Sequence, residues 1–298
     1  MDLYGAIESG GHKFVCLIAK NKDTIIEEMV FSTKEPKETI FEVINFFRQY
    51  KDLQSLGIAS FGPLDLNENS SSYGILTTTP KILWQGIDLR KEINMSLGIP
   101  VYIDTDVNSA ALAEHLWGSG IDVSNLVYIT VGTGIGAGII CNDKLIKGFS
   151  HTEFGHIRIP HDFKEDSFSG ICIYHGNCLE GLASAPAINK RCGLKQGQVA
   201  SPDHQVWNLV AKYLSLAVNN LIFTVAPEKI ILGGGVMKNN KLITLIRKNV
   251  TNLLNSYVEY DPIKFDIENF IVSPKLGDKS GVLGALAIAM SLYSDINS

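Results

Sequence analysis

Asp104-Thr105-Asp106-Val107-Asn108 places two carboxylates and an amide side by side. The run follows the apolar stretch Val101-Tyr102-Ile103 and precedes an Ala- and Leu-rich one, so it occupies a strand-to-helix junction, where α/β proteins place ligands. A carboxylate held there can take the proton of an attacking hydroxyl. The competing role is helix capping, because the first amides of the following helix, expected over Asn108 to Trp117, need a side-chain acceptor. Either aspartate suits either role.

Further on, Ser150-His151-Thr152-Glu153-Phe154-Gly155-His156 offers Glu153 and His156, whose carboxylate and imidazole suit the hydroxyls of a sugar. Cys172-Ile173-Tyr174-His175-Gly176-Asn177-Cys178 then separates Cys, His and Cys by two residues each. Tetrahedral Zn²⁺ takes such ligands, with His156 available as the fourth, and closed four-ligand sites of this kind are structural. If His156 ligates through one ring nitrogen, the other can face a sugar. Two buried thiols and a surface histidine are the plainer alternative.

Three glycine-rich turns follow strand-like runs: Glu8-Ser9-Gly10-Gly11-His12-Lys13, Gly132 to Gly138, and Gly233-Gly234-Gly235. Lacking a Cβ, glycine lets backbone N–H groups approach phosphate oxygens. Each alone reads more readily as a plain hairpin turn; together they fit a nucleotide gripped from both halves of the chain. Neither the Gly-x₄-Gly-Lys-Ser/Thr pattern nor Gly-x-Gly-x-x-Gly is present, which disfavours P-loop and Rossmann readings. A two-lobed phosphoryl-transfer enzyme, closing on ATP, Mg²⁺ and an acceptor to exclude water, fits better.

The elements that must position these groups follow from periodicity. Leu3 to Glu8, Phe14 to Ile18 and Thr24 to Phe31 read as a β-meander, followed by a helix over Lys37 to Tyr50 and a buried strand at Leu56 to Ala59. A helix at Leu89 to Leu97 leads to the Val101 strand. The pattern restarts at Leu126 to Val131, with the Gly132 to Gly138 turn, a strand at Ile139 to Cys141 and a short one near Leu145. A long helix at Gln205 to Val225, a strand at Lys229 to Leu232, a helix from Leu242 to Leu254, a strand near Phe270 to Val272 and a helix over Val282 to Tyr293 complete the reading. The expected architecture is two related α/β lobes with an active-site cleft between them, 1–117 and 118–281, the first completed by 282–298 and the second carrying the Cys/His insertion.

A chain of 298 residues with 45% apolar composition can fill two cores at ~100 to 200 residues per domain. Charged residues make up 19% and the net charge is -5, so no basic field is available for nucleic acid or an anionic membrane. The start of the chain lacks a secretory pattern and no apolar run is long enough to span a bilayer, which points to a cytoplasmic protein. An odd count of cysteines, 5, argues against a disulfide framework.

Taken together, these residues resemble the repressor/open-reading-frame/kinase (ROK) family, in particular its bacterial fructokinase branch. The resemblance rests on Gly5 to Cys16, Gly57-Ile58-Ala59-Ser60-Phe61-Gly62-Pro63, Thr77-Thr78-Thr79-Pro80-Lys81, Asp104 to Ala111, the Gly132 turn, Glu153 to His156 and Cys172 to Gly181. It implies a two-lobed fold of the actin/hexokinase (ribonuclease H-like) ATPase type. It further implies Asp106 as catalytic base, with Asn108, Glu153, His156 and Glu180 at sugar hydroxyls and structural zinc at His156, Cys172, His175 and Cys178. Phosphate contacts fall to Gly10, Gly11, His12, Lys13, Thr133, Gly134 and Gly136, and Gly233, Gly234 and Gly235 would lie beside the adenosine. Such proteins are commonly homodimers, and the implied reaction is ATP- and Mg²⁺-dependent phosphorylation of a hexose, fructose before mannose or glucose. Sugar-sensing repressors of the family carry a DNA-binding segment ahead of the kinase-like body, for which a first strand at Leu3 leaves no room. A non-catalytic sugar-binding protein is the remaining alternative. Three departures stand out: Thr105 where glucokinases often have Asn, His12 where Thr is usual, and Glu8 where many members have Asp.

Overall fold

The computed structural model describes residues 2–195, 198–258 and 260–291. They fall into two compact units. Unit 1 gathers the residues up to Gly118, Asp143–His151 and the described residues from Asp278 on; unit 2 gathers Ser119–Asn142 and Thr152–Gly277.

Unit 1 opens with β1 (Leu3–Ser9), β2 (Lys13–Asn21) and β3 (Thr24–Ser32), followed by α1 (Pro36–Phe47) and β4 (Leu53–Ser60). Next come α2 (Leu89–Leu97), β5 (Val101–Thr105) and α3 (Asp106–Trp117). The sheet order is β3-β2-β1-β4-β5, antiparallel through the meander and parallel from β1 to β5. Phe14 to Ala19 in β2 are all buried, as expected of a continuous apolar run covered on both faces. Asp88 caps α2 by accepting from the Lys91 amide. α1 stops at Phe47, short of the expected Tyr50, and the chain turns at Arg48.

Unit 2 begins with β6 (Leu126–Val131) and β7 (Ile135–Cys141). The short β8 (Lys144–Leu145) lies in the segment that groups with unit 1. After it come α4 (Leu179–Ala183), α5 (Ala185–Cys192), α6 (Val206–Val225), β9 (Lys229–Gly233), α7 (Asn240–Leu254), α8 (Asp261–Phe265), α9 (Ile267–Phe270) and β10 (Ile271–Val272). β6 pairs antiparallel with β7 and parallel with β9, and β9 parallel with β10. This repeats the unit 1 arrangement, in which β1 pairs antiparallel with β2 and parallel with β4. Strand residues Val127, Ile129 and Ile230 share one core with Tyr213, Leu214 and Val218 of α6.

The last helix, α10 (Ser280–Ala289), belongs to unit 1 and is buried at every position, which its all-round apolar character requires. Glycines let it close in. A Cβ on Gly57 would stand 2.0 Å from the Ala285 carbonyl oxygen, and one on Gly284 would stand 1.8 Å from that of Ser109. The expected helix ran from Val282 to Tyr293; α10 starts two residues earlier and ends at Ala289, while Leu292 and Tyr293, with the rest of 292–298, lie outside the described residues.

Two further expectations are corrected. Asp143–His151, expected in the second lobe, groups with unit 1, where His151 Nε2 accepts from the Leu64 amide at 3.2 Å. The Gly132 to Gly138 turn is only Gly132–Gly134: β7 starts at Ile135, not Ile139, with Gly136 opposite Thr130 and Gly138 opposite Tyr128. Glycines inside a strand read the same as glycines in a turn. Among the described residues, no helix is long and apolar enough to cross a membrane.

Candidate functional site

In unit 1, β5 delivers Asp104 and Thr105 to the start of α3, and Asp106 is the first helical residue. Neither aspartate caps the helix, and α3 starts at Asp106 rather than Asn108. Thr105 is the cap, its side chain accepting from the Asn108 amide at 3.1 Å. Asp106 is therefore left half-buried in the first turn, where the helix dipole favours a carboxylate, with Oδ1 2.9 Å from the Val107 amide. Asp104 is buried, and its Oδ1 accepts from the Thr105 amide at 2.7 Å and from Asn108 Nδ2 at 2.8 Å. Burial raises the Asp104 carboxyl, opposed by those two bonds. Asn108 is itself buried, and its side-chain amide is spent on Asp104, which ties the Asp104 carboxylate to the first turn of α3.

The first glycine turn joins β1 to β2. The Gly10 amide donates to the Lys13 carbonyl at 2.8 Å, Thr33 Oγ1 donates to the Gly10 carbonyl at 2.7 Å, and His12 and Lys13 are exposed. A Cβ on Gly11 would meet Cε of Lys81 at 3.5 Å. Just before the turn, the Glu8 carboxylate accepts from the Val282 amide in the first turn of α10, and a Cβ on Gly281 would stand 2.6 Å from its Cδ. Burial, then the charge of Asp106, pushes the Glu8 carboxyl up to about 7, with Lys13 and the Val282 amide pulling down.

That shift has a testable sign. The folded chain holds the Glu8 proton more tightly than the unfolded chain, whose value is 4.5, so this stabilisation is complete below 4.5 and is lost as pH rises through about 7. Glu8→Gln is a permanently neutral copy that keeps an acceptor for Val282. Its Tm should gain on wild type as pH rises from about 5 to about 8. A Tm difference that stays constant over that window would contradict the assignment.

In unit 2 the other two turns meet. Gly234, at φ 91°, packs so closely on the end of β6 that a Cβ would stand 2.5 Å from the Val131 carbonyl oxygen and 2.8 Å from Thr130 Oγ1. Only glycine tolerates that backbone and that contact. A Cβ on Gly132 would lie 3.9 Å from the Gly235 amide nitrogen, so backbone groups more than a hundred residues apart share one surface. Thr133 is exposed at the tip. Glu180 reaches the same turn: its Oε2 accepts from the Ile135 amide at 2.9 Å, and a Cβ on Gly134 would be 2.8 Å from that oxygen. Gly155 sits against the Ile135 carbonyl, which a Cβ would meet at 1.9 Å, and this draws Glu153 and His156 to β7.

His156, Cys172, His175 and Cys178 converge, with one ligand atom from each all within 4.8 Å of one another. His156 Nδ1 is 3.2 Å from His175 Nδ1, 3.7 Å from Cys172 Sγ and 3.6 Å from Cys178 Sγ, and Cys172 Sγ is 3.6 Å from His175 Nδ1. A tetrahedral Zn²⁺ with Zn–S about 2.3 Å and Zn–N about 2.0–2.1 Å puts its ligand atoms at about 3.3 Å for N···N and about 3.6 Å for S···N. The donor set and its spacing fit that ion. Burial pushes the Cys178 thiol up to about 11, so a thiolate there calls for a cation against it. Cys178 also caps α4, its Sγ accepting from the Gly181 amide at 3.4 Å. Arg158 steadies the loop from outside, Nη1 donating to the His175 carbonyl at 2.7 Å and to Asn177 Oδ1 at 2.6 Å. His156 turns Nε2 the other way, 4.0 Å from Glu153 Oε2.

Sequence reasoning missed Lys81, Arg158 and the Glu8–Gly281 contact. Lys81 closes the Thr77–Lys81 run, which carries the family resemblance without marking a role for the lysine; the other two are contacts between separate parts of the chain that no local pattern announces.

The ROK family model matches residues 4–291. A fructokinase of Lactococcus lactis subsp. cremoris is 41% identical over 292 residues, covering 98% of this chain and 98% of the relative. A fructokinase of Streptococcus mutans is 40% identical over 295 residues, covering 97% and 98%. Among solved structures, a ROK hexokinase from Thermus thermophilus superposes with a TM-score of 0.77 at 21% identity, covering 98% of this chain and 99% of that one.

Proposed function

The chain belongs to the ROK family and has the actin/hexokinase-like fold of its hexokinases, and from that premise we propose that it is an ATP-dependent fructokinase forming fructose 6-phosphate. The observation that carries this is near-complete coverage at 40% and 41% identity with fructokinases, against which the solved neighbour speaks to fold alone.

Asp106 is the base. It takes the proton of the fructose C6 hydroxyl as that oxygen forms its bond to the γ-phosphorus of ATP, and the bond to the ADP oxygen breaks. Its place at the start of α3, and the commitment of Asp104 to Asn108 and Thr105, support this choice over Asp104. Glu153, His156 and Glu180 are assigned to the sugar hydroxyls, with the amide of Asn108 fixing Asp104 behind the base. The Gly10–Gly11 and Gly132–Gly134 turns are assigned to phosphates and Gly233–Gly235 to the adenosine side. The contact of Gly234 with β6 supports a shared role for the last two turns.

Mg²⁺ would come with ATP, carried by its phosphates, and would need one or two protein carboxylates; Asp278, whose charge acts on Glu8 beside the first glycine turn, would be the candidate in unit 1. When bound, it neutralises charge on the transferring group. Zinc at His156, Cys172, His175 and Cys178 is proposed as a structural cross-link that fixes the ring of His156 so that Nε2 faces Glu153. The test is whether ADP release by the protein depends on added fructose.

A further inference from the structure

Lys81 follows Thr79, which is 1% exposed and accepts from the Lys81 amide through Oγ1 at 3.3 Å. On its other side the Trp84 amide donates to the Lys81 carbonyl at 2.8 Å. Trp84 is itself buried, 5.3 Å from Phe14 between ring centroids, and Phe14 is the residue after Lys13 in β2. The backbone of Lys81 is thus fastened to the same strand that carries the Gly10–Gly11 turn, and its stem lies over Gly11, where a Cβ would be 3.5 Å from Cε. Among the described residues, the Lys81 ammonium has no carboxylate partner. Lys13, the other lysine of this turn, is different: its charge acts on Glu8. A fixed stem ending in an unpaired ammonium beside a glycine turn is the arrangement that answers a phosphate, since a lysine head acts there as a strongly solvated point charge with three donors.

We infer that Lys81 places its ammonium on the phosphate oxygens held at the Gly10–Gly11 turn and stabilises the charge of the phosphoryl group during transfer. This rests on the sugar-kinase reading. No covalent step is involved: the ammonium keeps its protons and gains strength as negative charge builds on the equatorial oxygens.

The variant Lys81→Met keeps the stem and removes the charge. Steady-state kinetics with ATP, Mg²⁺ and fructose should show kcat lowered about 100-fold or more, with KM for fructose changed only a few-fold. Tm should stay at the wild-type value. In Lys81→Ala, added ethylammonium should restore part of kcat, which a packing role would not permit. Wild-type kcat in Lys81→Met, or a loss in Lys81→Ala that no alkylammonium relieves, overturns the inference. If wild type turns over no hexose, the kinase reading fails, and Lys81 is judged separately by calorimetry with the non-hydrolysable ATP analogue AMPPNP and Mg²⁺. There, affinity about 10-fold weaker in Lys81→Met upholds the contact, and equal affinity refutes it.

Discussion

Asp106→Asn should yield a folded protein whose kcat on fructose is about 10²- to 10⁴-fold below wild type, the span over which a positioned general base contributes. Folding should survive because the cap of α3 is Thr105, not Asp106, and because an asparagine Oδ1 can still sit by the Val107 amide, 2.9 Å from Oδ1 in the native residue. KM for fructose should change little, since the lost step is proton removal rather than sugar binding. Thermal melting and steady-state kinetics on the same preparation check both halves. Near-wild-type turnover would move the base elsewhere, and a collapsed melting curve would mean that Asp106 is structural.

The second large effect belongs to the Cys/His cluster. Cys178 is fully buried, caps α4 and stands 3.6 Å from His156 Nδ1, so Cys178→Ser should remove the proposed thiolate ligand and weaken a helix start together. Structural zinc contributes directly to folding free energy. A loss of about 3–5 kcal/mol, or on the order of 10 °C in Tm, is expected, with bound zinc falling from one equivalent towards none. Because His156 is the link between the cluster and Glu153, KM for fructose should rise in the same variant. Metal analysis, differential scanning fluorimetry and kinetics read the three. Unchanged zinc and unchanged Tm would remove the metal from the account.

Much of this was legible because local pattern and tertiary role coincide. The meander at β1–β3 follows from alternation and polar turns, and α2 matches its expected limits because Asp88 and Gly98 mark its ends. Cys172, His175 and Cys178 announce themselves by spacing, with His156 joining from sixteen residues upstream of Cys172. The junction at Asp104–Asn108 was also visible, but the division of labour within it was not. Thr, Asp and Asn all make good caps, and only backbone geometry at Thr105 decides which one does.

Other features depend on what a residue meets far away. Gly136 and Gly138 continue β7 because Thr130 and Tyr128 stand opposite them in the ladder. Glu8 reaches α10, which is more than two hundred and seventy residues distant in sequence, and only the missing Cβ of Gly281 makes room for it. Asp143–His151 groups with unit 1, partly through the His151–Leu64 hydrogen bond, with no change of composition to mark the crossing. Lys81 shows the same limit at shorter range: its run was recognisable, while its place over Gly11 is a matter of how Trp84 and Thr79 hold the chain.

Fructokinase activity is tested most directly by ADP release from the wild-type protein with ATP and Mg²⁺, measured without sugar and with fructose, mannose, glucose or an N-acetylated hexosamine. Rapid ADP release with fructose is expected, with one fructose 6-phosphate formed per ADP and little release without sugar. No turnover with any hexose, in folded protein that still binds sugar, would contradict it and make the chain a sugar-binding protein without kinase activity.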